Sequence, residues 1–280
     1  MGYTTLTLSI EDHVATVTLS RPEKLNTMNI AFWNEMREAF AEIDRSTEAR
    51  AAVLASTGKH FTAGLDLNEF AGAFAPGAGD EARRREHLRR LVLLMQESFN
   101  VIERCRVPVL AAVHGACIGR GVDMISATDA RYCTADAYFV IKEIDLGMTA
   151  DVGTLQRLPH LIPAGWAREM AYTGRRLPAA KAKEIGLVNE VYPDRAAMLA
   201  AVTETAREIA SKSPMAIQGT KEMLNYTRDH SVADALGYVA TWQAGMLMGD
   251  DLMAAIAAGM TKQKAEFADV LPPPEQVEKQ

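Results

Sequence analysis

Cysteine is scarce in this chain of 280 residues: Cys105, Cys117 and Cys133 are the whole supply. Three thiols cannot all pair, and spacings of 12 and 16 residues match no metal-binding pattern. They read as small buried side chains. Basic excess is also missing. The 30 Lys and Arg face 36 Asp and Glu, a formal charge of −6, which counts against a dedicated nucleic-acid binder. No uncharged run reaches the about 20 residues that a membrane helix needs. The opening MGYTTLTLSIEDH lacks the basic and apolar stretches of a secretory signal and the Arg and Ser of a transit peptide. The closing VEKQ is not an address of the Ser-Lys-Leu type. Cytoplasm is the expected compartment. The dinucleotide fingerprint G-x-G-x-x-G is absent as well.

What is present is ordinary for a folded protein: 48% hydrophobic and 24% charged residues, which excludes a disordered chain. The length lies near the upper limit for a single core, so a large domain with a smaller appendage is expected. Alternation over 5–10 and 14–19 predicts a two-stranded hairpin. Helical spacing of apolar residues runs over 29–45 and 80–104, and short apolar runs at 51–55 and 107–114 read as buried strands. Between them, 58–79 reads as a loop rich in Gly and Ala. Gly119 opens a helix to about residue 127, followed by short strands at 130–133 and 138–140. From Val152 the pattern turns mostly helical, with four helices over 195–211, 214–227, 232–249 and 252–264. This gives an α/β chain with a core over 1–200, a helical region over 201–270 and a loose tail over 271–280.

Chemistry concentrates in three places. Gly58–Leu67 (GKHFTAGLDL) and His114–Met124 (HGACIGRGVDM) each lead a buried strand into a glycine turn. Small residues there let the main chain approach a ligand. Two free backbone N–H groups from two such loops are what a developing oxyanion needs, although two plain turns would read the same way. The third place is a set of acids. Asp123 sits among Val122, Met124 and Ile125, Glu143 and Asp145 flank Ile144, and Asp151 follows. An acid in an apolar run is costly without a partner. Carboxylates that share one apolar pocket push each other's pKa apart, giving a proton donor and an acceptor. Structural alternatives are a first-turn acid for Asp123 and an N-cap for Asp151 ahead of a helix over 152–158.

In this order, AGLDL, HGACIGRGVDM, IKEIDLG and ADVGTLQRLP resemble the crotonase (enoyl-CoA hydratase/isomerase) superfamily. The likeness runs from RPEKLNTMN at 21–29 to the C-terminal helices. Within it, FTAGLDL, KEIDLGMTADVGTLQRLP, SKSPMAIQGTK and RDHSVADALGYVATW look like the dienoyl-CoA isomerase branch. The resemblance implies a spiral of ββα units with a helical trimerisation region, assembled as a homotrimer or a dimer of trimers. It implies an acyl-CoA thioester as substrate, with no metal or redox cofactor, and neither a nucleic acid nor a membrane as partner. The backbone N–H groups of Leu65 and Arg120 would hold the thioester oxygen. Ala63, Gly64, Leu65, Asp66 and Leu67 would line the CoA path with Arg120, and Arg21 and Lys24 would approach the nucleotide end.

The acids separate the branches. The hydratase pattern has glutamates at the positions of Asp123 and Glu143 and glycine at that of Asp151, whereas the dienoyl isomerase pattern is Asp, Glu, Asp, as here. By resemblance Glu143 serves C2 of the acyl chain, Asp151 serves C6 and Asp123 tunes the pair. The product would be a 2,4-dienoyl-CoA made from the 3,5-isomer in the β-oxidation of unsaturated fatty acids. An enoyl-CoA hydratase and an RNA-binding relative are the competing readings. One position departs from the branch: Gly119-Arg120-Gly121 stands where three consecutive glycines are usual, so the Arg120 side chain either turns inward to a carboxylate or outward to solvent or CoA phosphate. Arg83, Arg84, Arg85, Arg89 and Arg90 read as a solvated helix face or a CoA-phosphate contact. His60 and His114 read as hydrogen-bonded histidines, and the Met-rich stretch 242–260 as packed helix or subunit interface.

Overall fold

The computed structural model describes residues 2–73 and 79–274. The expected hairpin forms: β1 (Leu6–Glu11) and β2 (Val14–Leu19) pair antiparallel, Leu6 against Leu19. Asp12 and His13 turn the corner with φ of 50° and 62°, the left-handed geometry that matches strand twist in a two-residue hairpin. The first helix, α1 (Ile30–Arg45), starts at Asn29, whose side chain accepts the Phe32 N–H at 3.0 Å. Phe32, Met36, Phe40 and Ile43 recur at helical spacing and are buried. There follow β3 (Ala51–Ser56), α2 (Leu67–Ala73), α3 (Glu81–Arg104), β4 (Val109–Val113), β5 (Ala116–Ile118), α4 (Arg120–Ser126), β6 (Ala130–Thr134) and β7 (Tyr138–Val140). Then come α5 (Thr154–Leu161), α6 (Ala164–Thr173), β8 (Leu177–Pro178), α7 (Ala179–Glu184), β9 (Glu190–Tyr192), α8 (Arg195–Ala210), α9 (Pro214–Asp229), α10 (Val232–Met246) and α11 (Asp250–Thr261).

Six strands make one sheet in the order β1-β2-β3-β4-β6-β9, parallel from β2 onward. Both faces are covered, which is why β3 reads as an unbroken apolar run. Ala52 and Leu54 point into the main core with Phe40 and Phe99, whereas Ala51, Val53 and Ala55 point the other way onto Met198, Val202, Ala206 and Ala210 of α8. A second sheet, β5-β7-β8, stands apart and carries the turn that enters α4.

The structure departs from the sequence reading in four places. The stretch 58–79 is not all loop: α2 occupies 67–73, and 74–78 lie outside the described residues, as do 275–280 of the expected loose tail. A boundary at 200 cuts through α8, a helix packed on the sheet; the helices that leave the core begin with α9. Strands also reach beyond the expected change to helices, since β9 at 190–192 closes the sheet edge. Asp151 is not the cap of the next helix, because α5 begins after Gly153.

One buried contact ties α9 to the core. Lys221 Nζ, 6% exposed, donates to Asp129 Oδ2 at 2.8 Å and to the Val107 carbonyl at 3.0 Å. Asp129 Oδ2 also accepts the N–H of Val109, the first residue of β4, at 2.7 Å. Lys221→Ala removes the cation from Asp129 and the donor from the Val107 carbonyl and should cost about 2–4 kcal/mol. A lowered urea midpoint, with an unchanged slope, is the expected reading.

Candidate active site

The first loop is built by hydrogen bonds that point away from the cleft. Asn26, buried and at φ 52°, donates its amide to the carbonyls of Thr57 and His60 at 2.8 and 3.1 Å. Its own carbonyl accepts the Thr62 hydroxyl at 2.7 Å, and that hydroxyl accepts the Gly64 N–H at 3.0 Å. Met28 then donates to the Gly64 carbonyl at 2.8 Å and accepts from Asp66 at 3.0 Å. That pairing turns the Leu65 N–H away from Met28, and it has no acceptor among the described residues. The N–H of Arg120, the first residue of α4, has none either.

Glycines bring the two loops together. A Cβ on Gly64 (φ +88°) would lie 2.8 Å from the Ile118 carbonyl oxygen and 3.7 Å from the Arg120 nitrogen. One on Gly121 would lie 2.5 Å from the Thr62 methyl. Side chains at these positions would force the loops apart. His60 and His114 act as pins between the same segments. The Ala116 N–H donates to His60 Nδ1 at 3.2 Å, and His114 Nε2 bonds the Gly58 carbonyl at 3.0 Å. Burial lowers the His114 pKa, favouring the neutral imidazole.

The acids converge beside these N–H groups. Gly119 (φ +52°) passes so close to Glu143 that a Cβ on it would lie 3.2 Å from Oε1. Glu143 opens a 3-10 turn (Glu143–Leu146) and is 5% exposed. Burial first, and the charge of Asp123 second, push its pKa up to about 7. Asp123 is fully buried; burial raises its pKa too, against the pull of Arg120. Its Oδ1 accepts the Thr154 N–H at 2.6 Å, so this acid from α4 caps α5 across the chain. Asp123 Oδ2 and Glu143 Oε2 have no partner among the described residues. Asp151 is held by its main chain, where Gln96 of α3 donates to its carbonyl at 2.7 Å.

Arg120 turns inward. Its side chain is 3% exposed and its Nη1 lies 2.6 Å from Asp151 Oδ1. The guanidinium carbon stands 5.8 Å from the centroid of the Trp33 ring, within range of a cation–π contact. The site therefore gathers Asp123, Glu143, Asp151, Arg120 and Leu65, as the sequence reading expects. Gly64 and Ala63 lie in the loop wall. Asp66 and Arg21 serve each other instead, their charges 3.6 Å apart, with Arg21 also donating to the Thr27 carbonyl. Lys24 and Leu67 are exposed. The arginines on α3 are solvent-facing; Arg83, Arg85, Arg89 and Arg90 pair with Asp80, Glu81 and Glu86 of their own segment. All three cysteines are free and buried. Asn26, Thr62, Gln96 and Trp33 escaped the sequence reading; a polar Asn within RPEKLNTMN was the one available sign.

Comparison with known proteins identifies the family and the fold. Residues 9–269 match the family described as Enoyl-CoA hydratase/isomerase. The mitochondrial Delta(3,5)-Delta(2,4)-dienoyl-CoA isomerase of Homo sapiens is 50% identical over 252 residues, 89% of this chain and 77% of that protein. The peroxisomal protein of the same name in Arabidopsis thaliana is 44% identical over 252 residues, 89% of this chain and 91% of the relative. The crystal structure of an enoyl-CoA hydratase from Bacillus anthracis superposes with a TM-score of 0.86 at 28% identity, covering 95% of this chain and 99% of that one. Two loop N–H groups without acceptors and a carboxylate set around them thus sit on a shared fold, and the chain belongs to the enoyl-CoA hydratase/isomerase family.

Proposed function

We propose that the protein converts a 3,5-dienoyl-CoA into the 2,4-dienoyl-CoA by moving a proton from C2 to C6. The observation that carries this reading is the set Asp123, Glu143 and Asp151 packed against the free N–H groups of Leu65 and Arg120. Identity of 50% and 44% to two dienoyl-CoA isomerases supports it.

The chemistry follows from the substrate. The thioester carbonyl acidifies C2. Glu143, which packs against Gly119 next to the Arg120 N–H, takes that proton as a carboxylate. The electron pair spreads over the diene to the thioester oxygen, where each of the two N–H donors contributes roughly 3–4 kcal/mol. Asp151 sits at the far end of the Arg120 side chain and gives a proton to C6, leaving double bonds at C2 and C4. Asp123 raises the proton affinity of Glu143 through its charge. Nothing beyond the coenzyme A carried by the substrate is needed as cofactor.

The assembly belongs to the same reading. Met215, Leu224, Trp242, Met246, Leu252 and Phe267 line an open groove of about 590 Å³ among α9–α11. Leu236, Met248 and Met260 are also exposed. Apolar surface of this extent suits other copies of the chain, as a homotrimer or two stacked trimers. Cytoplasm is the compartment expected from the sequence, whereas the human relative is named mitochondrial and the Arabidopsis one peroxisomal. No helix among the described residues is long and apolar enough to cross a membrane.

Purified protein given a 3,5-dienoyl-CoA should produce the ultraviolet absorbance of the conjugated 2,4-isomer. Strong hydration of a 2-enoyl-CoA with no such band would overturn the reading. Asp151→Asn should stay folded and bind the substrate while losing about 10²–10⁴ in kcat.

Glu143 gives a stability test. Its folded pKa of about 7 exceeds the ordinary 4.5, so its ionisation opposes folding increasingly between those values and by a constant amount above them. Glu143→Gln should therefore be more stable than the parent at pH 8, by at most about 3 kcal/mol, and the gain should vanish near pH 4. Thermal melts at the two pH values read it directly. Light scattering should give the mass of three or six chains; a single chain would remove the proposed assembly.

A further inference from the structure

The turn Gly119-Arg120-Gly121 has room for a side chain at its middle position alone. A Cβ on Gly119 would lie 3.2 Å from Glu143 Oε1, and one on Gly121 would lie 2.5 Å from the Thr62 methyl. This chain fills the remaining position with a long side chain, and that side chain is buried at 3% exposure. It faces a rigid wall. Trp33 of α1 is 3% exposed, with its ring centroid 5.5 Å from that of Phe32 and 5.2 Å from that of Phe99. Ser98 of α3 donates to the Trp33 carbonyl at 2.8 Å. A ring packed in this way cannot yield without displacing the core behind it. The guanidinium carbon of Arg120 stands 5.8 Å from its centroid.

The reach of the side chain matches the reacting segment. As many bonds separate Cα from Cζ of an arginine as separate C1 from C6 of an acyl chain. The N–H at its foot has no acceptor among the described residues and is the proposed donor to the thioester oxygen on C1. Its tip lies 2.6 Å from the carboxylate assigned to C6. Arg120 therefore runs beside the acyl chain from C1 to C6, and its guanidinium stands where the carbon after C6 begins. We propose that Arg120 sets the acyl-chain length this site accepts: its bulk and the Trp33 ring close the cleft just past C6, so short chains fit and longer ones gain no apolar burial there. The position of C6 rests on the isomerase reading given above.

The closure holds because both ends of the contact are fixed. Arg120 is anchored at its foot by α4 and at its tip by Asp151. Asp151 is fixed in turn through its carbonyl, which accepts from Gln96 of α3 at 2.7 Å. Swinging the arginine aside to admit methylenes means parting a buried guanidinium from its carboxylate, a costly step. Neighbouring cations do not offer a substitute partner. Arg157 is turned to Glu103, its Nη2 2.8 Å from the carboxylate, and Lys142 pairs with Asp145 at 2.6 Å.

The test compares chain lengths within each protein. Parent kcat/KM should be higher for 3,5-octadienoyl-CoA than for 3,5-dodecadienoyl-CoA. Arg120→Ala keeps the backbone N–H and opens the space past C6. Each methylene that gains apolar burial contributes about fourfold, so the dodecadienoyl-to-octadienoyl ratio should rise about tenfold or more in this variant. Arg120→Met keeps most of the bulk and loses the charge, and it should keep the parent ratio. Both variants lose the contact with Asp151, so a general loss of rate cancels in the ratio. An unmoved ratio in Arg120→Ala, or an equal rise in Arg120→Met, would overturn the proposal. A second measurement needs no turnover. Calorimetric binding of octanoyl-CoA and lauroyl-CoA to the same proteins should show the same shift in ratio. An unmoved binding ratio in Arg120→Ala would overturn the proposal even where isomerisation is seen, and a shifted one would uphold it even where no conjugated diene forms.

Discussion

Burying an unpaired carboxylate is expensive, and this fold buries two beside a third that is half-exposed. Much of the local architecture answers that cost. The Thr154 N–H is spent on Asp123, so α5 obtains its cap from α4. Arg120 neutralises Asp151 and lies near the face of Trp33, itself packed on Phe99 with ring centroids 5.2 Å apart. What remains uncompensated is one oxygen each on Glu143 and Asp123; burial raises both pKa values, that of Glu143 to about 7. A raised pKa is thus the residue of a packing problem only partly solved, and a proton-transfer site requires that incompleteness.

The main chain faces the opposite constraint. An N–H that stabilises an oxyanion must lack a partner in the fold, whereas nearly every buried N–H has one. Two devices keep a pair free. Leu65 sits in a single bridge to Met28 that uses the groups on either side of it. Arg120 opens a helix, where the first N–H groups have no intrahelical acceptor. Both are set by neighbours with left-handed backbone, Gly64 and Gly119. Asn26 supports the first loop by supplying side-chain bonds where strand pairing stops.

Legibility followed the range of the interaction. Local patterns were plain: the hairpin, the capped α1 and α3, and the apolar run of β3 that a doubly covered strand requires. The acids were legible too, because Asp123 among Val122, Met124 and Ile125 breaks the rule of apolar burial. Strand β9 was not, since three half-buried residues acquire their meaning only by pairing with Tyr132–Thr134. The cap of α5 was not legible for the same reason. Asp151 has the right residue type and nearly the right place, but the oxygen that binds Thr154 comes from 31 residues earlier. No sequence pattern shows which way Arg120 turns; its direction depends on Trp33 and Asp151, which are brought to it by two separate segments.

Position 120 divides its work between backbone and side chain. Any residue except proline offers an N–H there, so stabilisation of the thioester oxygen does not depend on which side chain is attached. The side chain is then free to act on another part of the reaction. In this chain it reaches the acid assigned to the opposite end of the reacting segment. One residue thereby meets the site twice, with a free N–H on its main chain and a guanidinium that contacts Asp151.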